Sequence, residues 1–403
     1  MFHILEKDKQ IIRELAKKQY EYSQQPQMKE LKKLWYRHND FIGERPMVTI
    51  ELWTFQNEVI PQRLRCEGDF ARKIESDILR NFINHELFKD DTIVPDYIPV
   101  SNNEWFLLFD HNFDMVSASN ADVTGTKLAY QHVHPIEDLE RDYPKLKDST
   151  YGVKTEEATK YKEFMDELVG DILPIKVQMG GLYSVPTQKL VHFMGMENML
   201  YSMYDYPDTF KMLMDRITND YINYFDWLAE KKLILPTTSF ESLGQGTYCC
   251  TDNLPGYDEF RKRPFTSKDV WGFMDSQETV GISPDMFNEF IFPYYKKVAD
   301  KFGALSYGCC EPVDPIWEKC ISKLENIRKV SISPWCNEEY MGEQLNGKNI
   351  MFHRKPSPNM IGVGTILEED EVRKSISRTV KAAKGCKIEF TQRDVYTINH
   401  DID

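Results

Sequence analysis

Two apolar periods alternate along the chain. Between 208 and 231, Phe210, Leu213, Met214, Ile217, Tyr221, Phe225 and Leu228 recur every three or four positions, the spacing of one buried helix face. Asp208, beside Pro207, is suited to start that helix. Charged, periodic stretches predict further helices over 5–35, broken at Gln25-Pro26, and over 69–87, 155–170, 284–302 and 369–383. Ser283 supplies an N-cap oxygen, and Pro284 follows at the position where no amide hydrogen is needed. Pro293 lies inside the same helix and predicts a kink. Short apolar runs bounded by turn residues predict strands at 47–53, 105–109, 175–179, 238–241, 270–274, 304–308, 330–333, 349–353 and 387–390.

Strands and helices in alternation predict an α/β chain with a parallel sheet closed into a (β/α)8 TIM barrel. The expected division is an N-terminal helical extension over 1–44 and the barrel over 45–403. An open doubly wound sheet is the runner-up, but no GxGxxG or GxxxxGK[ST] follows an early strand. In a barrel the residues just past each strand share one rim, where active sites are built. That rim gathers Asp275, Ser276 and Gln277; then Cys309, Cys310 and Glu311 in the stretch SYGCCEP; then Trp335 and Cys336; then His353, Arg354 and Lys355. Glu241 ends an earlier predicted strand.

Composition narrows the function classes. The chain has 403 residues, 41% hydrophobic and 28% charged, with a net charge of −14, which fits a large core and argues against a broad nucleic-acid surface. No apolar run approaches the roughly 18–20 residues of a membrane span. The first residues are charged and amphipathic and lack a signal-peptide core, so the expectation is a cytoplasmic protein. Eight cysteines diluted in such a chain read as reduced thiols, some of them buried and some ligands or nucleophiles.

The segments WGFMDSQETVGISPDMFNEFIFPYYKKVADKFGALSYGCCEPVDPIWEKC and GMENMLYSMYDYPDTFKMLMDRITNDY resemble the uroporphyrinogen decarboxylase superfamily. That superfamily contains decarboxylases and corrinoid-linked methyltransferases. The likeness spans about residues 45–400. Arg45-Pro46 is followed by MVTIELWTF rather than an arginine-rich substrate loop, which points away from tetrapyrrole decarboxylation. The methyltransferases of the superfamily carry His-x-Cys-Gly, with a late cysteine, as a zinc site; here the matching stretch is Tyr307-Gly308-Cys309-Cys310.

The resemblance therefore implies a divergent methyltransferase. It would move a methyl group between a small substrate and a corrinoid (cobalamin) protein, with zinc held by altered ligands from Cys309, Cys310, Glu311 and Cys336. Adjacent residues in an extended chain face opposite ways, so only one of Cys309 and Cys310 is expected to bind unless the backbone turns sharply. Asp275, Gln277 and Tyr307 are the catalytic candidates. Trp53, Glu241, Trp335, His353 and Lys355 are the substrate-binding candidates. Glu389 and Asp394 could reach the rim or pair with Arg393. His132 and His134 read as structural, Cys320 as core, and the loop holding Cys249 and Cys250 as a lid over the barrel mouth. The alternatives are a metal-independent decarboxylase or lyase of a small acid, using Asp275 and His353, and a non-catalytic corrinoid- or tetrapyrrole-binding barrel. A homodimer is a further expectation.

Overall fold

The computed structural model describes residues 2–113, 115–117, 130–363 and 366–401, without the side chains of 115–117 and 130–132. The predicted helices form. The first breaks at Pro26 into α1 (Glu6–Ser23) and α2 (Pro26–Asn39). The 284–302 helix breaks at Ile291 into Pro284–Phe290 and Phe292–Ala299, with Pro293 at the start of the second piece. Ser283 Oγ accepts from the Met286 amide at 3.2 Å, the cap anticipated for that helix.

Nine short strands matter for the site: β1 (Met47–Ile50), β2 (Ile98–Val100), β3 (Ile175–Val177), β4 (Leu182–Ser184), β5 (Trp271–Met274), β6 (Ala304–Tyr307), β7 (Ile327–Ile332), β8 (Met351–Arg354) and β9 (Lys387–Gln392). Seven of them form one parallel sheet in the order β1-β9-β8-β7-β6-β5-β4. β2 and β3 pair only with each other. The fold is thus α/β with a parallel sheet, as a barrel requires, but among the described residues the ladders stay open between β1 and β4. A hairpin, Ser242–Gly244 with Thr247–Tyr248, reaches both edges of this gap. The Gly181 amide donates to Ser242 O at 3.0 Å, and Thr49 Oγ1 donates to Gly246 O at 2.8 Å. Gly246 has φ +76, and a Cβ there would sit 2.4 Å from Thr391 Cγ2, so only glycine fits.

Two predicted strands fall elsewhere. Residues 105–109 give Glu104–Leu107, which pairs antiparallel with Thr150–Val153 outside the main sheet. Residues 238–241 form no strand. The Ser239 amide donates to the Glu241 side chain at 2.6 Å and the Trp271 amide to Thr237 Oγ1 at 2.9 Å. Such local side-chain bonds compete with a ladder.

Side-chain parity separates the two faces of the sheet. Leu305, Tyr307, Val330, Ile332, Met274 and Phe352 point into the large core shared with Pro207–Glu230 and the neighbouring helices. Trp271 and Ala304 face the other way, against Leu243 and Cys249 of the hairpin. The helices of the N-terminal extension share a second core with β1 and Asp69–Arg80: Ile12, Leu15, Trp35, Met47, Phe55 and Ile74 pack together.

Candidate active site at the strand ends

The inner face of the sheet carries polar side chains instead of a purely apolar filling. Glu389 on β9 meets Lys329 Nζ at 2.7 Å and His38 Nε2 of α2 at 3.2 Å. One step nearer the strand ends, His353 Nε2 lies 2.8 Å from Thr391 Oγ1. Burial pulls the His353 imidazole from its ordinary 6.5 down to about 3, so the ring is neutral at physiological pH. Burial opposes the Glu389 charge too, but the Lys329 charge and the His38 hydrogen bond outweigh it and hold that carboxyl well below its ordinary range.

At the strand ends, Gly308 closes β6 with φ +96, and a Cβ there would press on Ser331 Cβ at 3.0 Å. This turn answers the parity question, because it brings both following thiols to one side, with Sγ–Sγ 3.4 Å. Cys309 is only 6% exposed, whereas Cys310 is half-buried. The hydrogen bond between the sulfurs, together with burial, raises the Cys309 pKa, and the same bond lowers that of Cys310. Cys310 is therefore the more acidic of the two thiols.

Two cations and two carboxylates surround the pair. Arg393 Nη1 stands 3.6 Å from Cys309 Sγ and also faces Glu51 and Asp394, each at 3.2 Å. Asp394 Oδ2 lies 3.5 Å from Cys310 Sγ. Lys355 Nζ is held by Gln245 Oε1 at 2.8 Å and by the carbonyls of Gly308 and Cys309 at 3.4 and 3.5 Å. Asp275, at the end of β5, is 1% exposed, and its Oδ1 has no hydrogen-bond partner. Burial, then the neighbouring Glu311 charge, raises its pKa well above the ordinary carboxylate range. Asp275 is thus biased toward its protonated form, with Cys309 and Lys355 among its neighbours. Tyr183, stacked on Phe273 at 4.7 Å and 46% exposed, has Asp275, Cys309 and Arg393 as neighbours. It is the aromatic wall of the mouth.

Several predicted site residues lie elsewhere. Tyr307 points into the outer core, its hydroxyl 2.6 Å from Ser276 Oγ, because it sits one residue out of phase with the inner face. His353 is enclosed within the sheet layer. Arg354 faces outward to Glu338 at 2.7 Å, so of the three expected rim cations only Lys355 serves the site. Glu241 is buried against Lys176 at 3.3 Å. Gln277 is half-buried in a turn beside Glu278. Trp53 and Trp335, 69% and 72% exposed, stand on the loops after β1 and β7. The loop of Cys249 and Cys250 is no lid, since both thiols are fully buried. His134 Nδ1 bonds His192 O at 3.0 Å, while the His132 side chain lies outside the described residues. Cys320 is core, as expected. Sequence reasoning missed Tyr183 and Gln245; the first sits on a three-residue strand and the second in a hairpin turn, neither with a periodic signal.

The zinc ligand set does not converge. Glu311 turns back to accept from the Cys309 amide at 2.8 Å and the Ser276 amide at 2.9 Å. Cys336 is packed on the outer side, accepting from the Val313 amide at 3.3 Å. Among the described residues no group of three His, Cys, Asp or Glu side chains is gathered to hold a metal ion. The residues present do not fit the expected zinc site.

No protein-family model matches the chain, and the comparison with curated proteins gives no match. Among solved structures, the chain is similar to a methyltransferase from Methanosarcina mazei. The TM-score is 0.50 at 13% identity, covering 92% of this chain and 96% of that one. The likeness is one of fold and spans both chains nearly whole. No helix among the described residues is long and apolar enough to cross a membrane.

Proposed function

We propose that the chain is a methyltransferase working at this rim, moving a methyl group between a small anionic substrate and a corrinoid carried by a partner protein. The observation that carries the reading is the Cys309–Cys310 pair, with Arg393 Nη1 at the Cys309 sulfur and Lys355 Nζ at the Cys309 carbonyl, at the C-terminal ends of strands in a fold like that of a methyltransferase. A corrinoid, when its partner presents it, supplies or takes the methyl group. Lys355 and Arg393 suit a carboxylate or phosphate on the substrate. Cys310, with Asp394 3.5 Å away, accepts the proton of a thiol or hydroxyl that is to be methylated. The new bond to carbon then uses the lone pair left on that acceptor atom. The test is incubation with a methylated corrinoid protein and candidate thiols, read by visible absorbance. Demethylation that depends on Cys310 supports the reading, and an unchanged spectrum with active corrinoid protein opposes it.

Asp275, biased toward its protonated form, favours a second reading, a metal-independent decarboxylase of a small acid. Lys355 and Arg393 would hold a carboxylate while Asp275 delivers a proton to the carbon that loses carbon dioxide. Neutral, enclosed His353 takes no part. Release of carbon dioxide without any corrinoid distinguishes this from methyl transfer.

A further inference from the structure

We infer that Cys309 and Cys310 form a redox-active dithiol that reduces small anionic disulfides. The inference goes beyond methyl transfer and rests on geometry that transfer alone does not require. The two sulfurs are 3.4 Å apart, close enough for one to attack a bond made by the other. Their exposure differs in the useful order, with Cys310 open to a substrate and Cys309 sheltered behind it. Arg393 and Lys355 face the pair, attract an anion and favour departure of a thiolate. Asp394, the carboxylate at 3.5 Å from Cys310, is placed to take the thiol proton.

The exchange runs in two displacements. Cys310 sulfur attacks one sulfur of the substrate disulfide, the S–S bond breaks, and the first thiolate leaves with the electron pair. Cys309, giving up its proton to that thiolate or to water, attacks Cys310 Sγ, and the second thiolate leaves. The substrate disulfide is reduced by two electrons to two thiols, and the protein dithiol is oxidised to a Cys309–Cys310 disulfide. Adjacent Cα atoms in a trans chain are about 3.8 Å apart, below the roughly 4.4–6.8 Å usual for a disulfide. The oxidised form is therefore strained, so the dithiol reduces only disulfides whose thiolates leave readily, and an external thiol restores it. Of the other cysteines, Cys66, Cys249, Cys250, Cys320 and Cys336 are buried, and only Cys386 shares partial exposure with Cys310.

The experiment uses the full chain, reduced and carrying Cys386→Ser to silence that thiol. The probe is dithiobis(nitrobenzoate), an aromatic disulfide bearing two carboxylates. The expected result is a fast phase releasing two thionitrobenzoates per chain, with an intact mass lower by two hydrogens and no adduct. Cys309→Ser should release one and retain the adduct, and Cys310→Ser should slow the fast phase at least about tenfold. Release of only one equivalent with a stable adduct on the Cys386→Ser protein, or a fast phase that survives Cys310→Ser, overturns the inference. The mass measurement decides the matter even where a cysteine variant fails to fold. No methyl donor is present, so the outcome is independent of the methyltransferase reading.

Discussion

Asp275 shows what the site costs. A carboxyl at 1% exposure with an orphan oxygen holds its proton to higher pH in the fold than in the unfolded chain, where it ionises near 3.9. The stability it contributes is complete below that value and is lost as pH rises toward the raised folded pKa. Asp275→Asn should therefore stabilise the protein at neutral pH by about 1–3 kcal/mol, an advantage that vanishes near pH 4 in urea titrations, and under the decarboxylase reading release of carbon dioxide is lost. Gly308 is a second sensitive position. Gly308→Ala places a side chain at φ +96 against Ser331, at about 1–2 kcal/mol, and should separate the two thiols. Slower reaction of Cys310 with disulfides, out of proportion to the change in melting temperature, is the expected readout.

At the scale of elements, the sheet is tied to the N-terminal helices through one buried carboxylate. Glu389 joins β9 to Lys329 on β7 and to His38 on α2, so Glu389→Gln leaves Lys329 without its counter-charge and should cost about 3–5 kcal/mol. His353 predicts an acid limb. The unfolded ring takes up a proton near 6.5, and the folded one only near 3. Stability should thus fall by about 1.4 kcal/mol per pH unit below 6.5. His38, lowered in the same direction by burial, adds to it. His353→Gln should flatten that limb when denaturant midpoints are compared at about pH 7 and pH 5.

Across the whole molecule, the rim unites side chains from β5, β6, β8 and β9 that are far apart in the chain. Asp275, Cys309, Cys310 and Lys355 were legible because each follows a clear apolar run whose C-terminal end must reach that rim. Tyr307 was misplaced by parity, and Cys336 by the turn after β7, where its amide donates back to Ser333 O. A one-residue error in phase moves a side chain from the mouth to the outer core, and the apolar run alone does not state its phase. Arg393 and Asp394 could be placed near the rim but not given a role, because their meeting with the thiols depends on the turn at Gly308. The open edge between β1 and β4 was hidden for another reason: β4 is three residues long, and the hairpin that spans the gap carries loop chemistry.

The central claim is that Cys310 is the accessible, reactive thiol of a mouth whose cations attract anions. Its most direct test is alkylation at neutral pH with anionic iodoacetate and neutral iodoacetamide, followed by peptide mass mapping. The account predicts that Cys310 is modified first, and that Lys355→Met with Arg393→Met slows iodoacetate about tenfold more than iodoacetamide. First modification at Cys386, or an equal effect on both reagents, would contradict it.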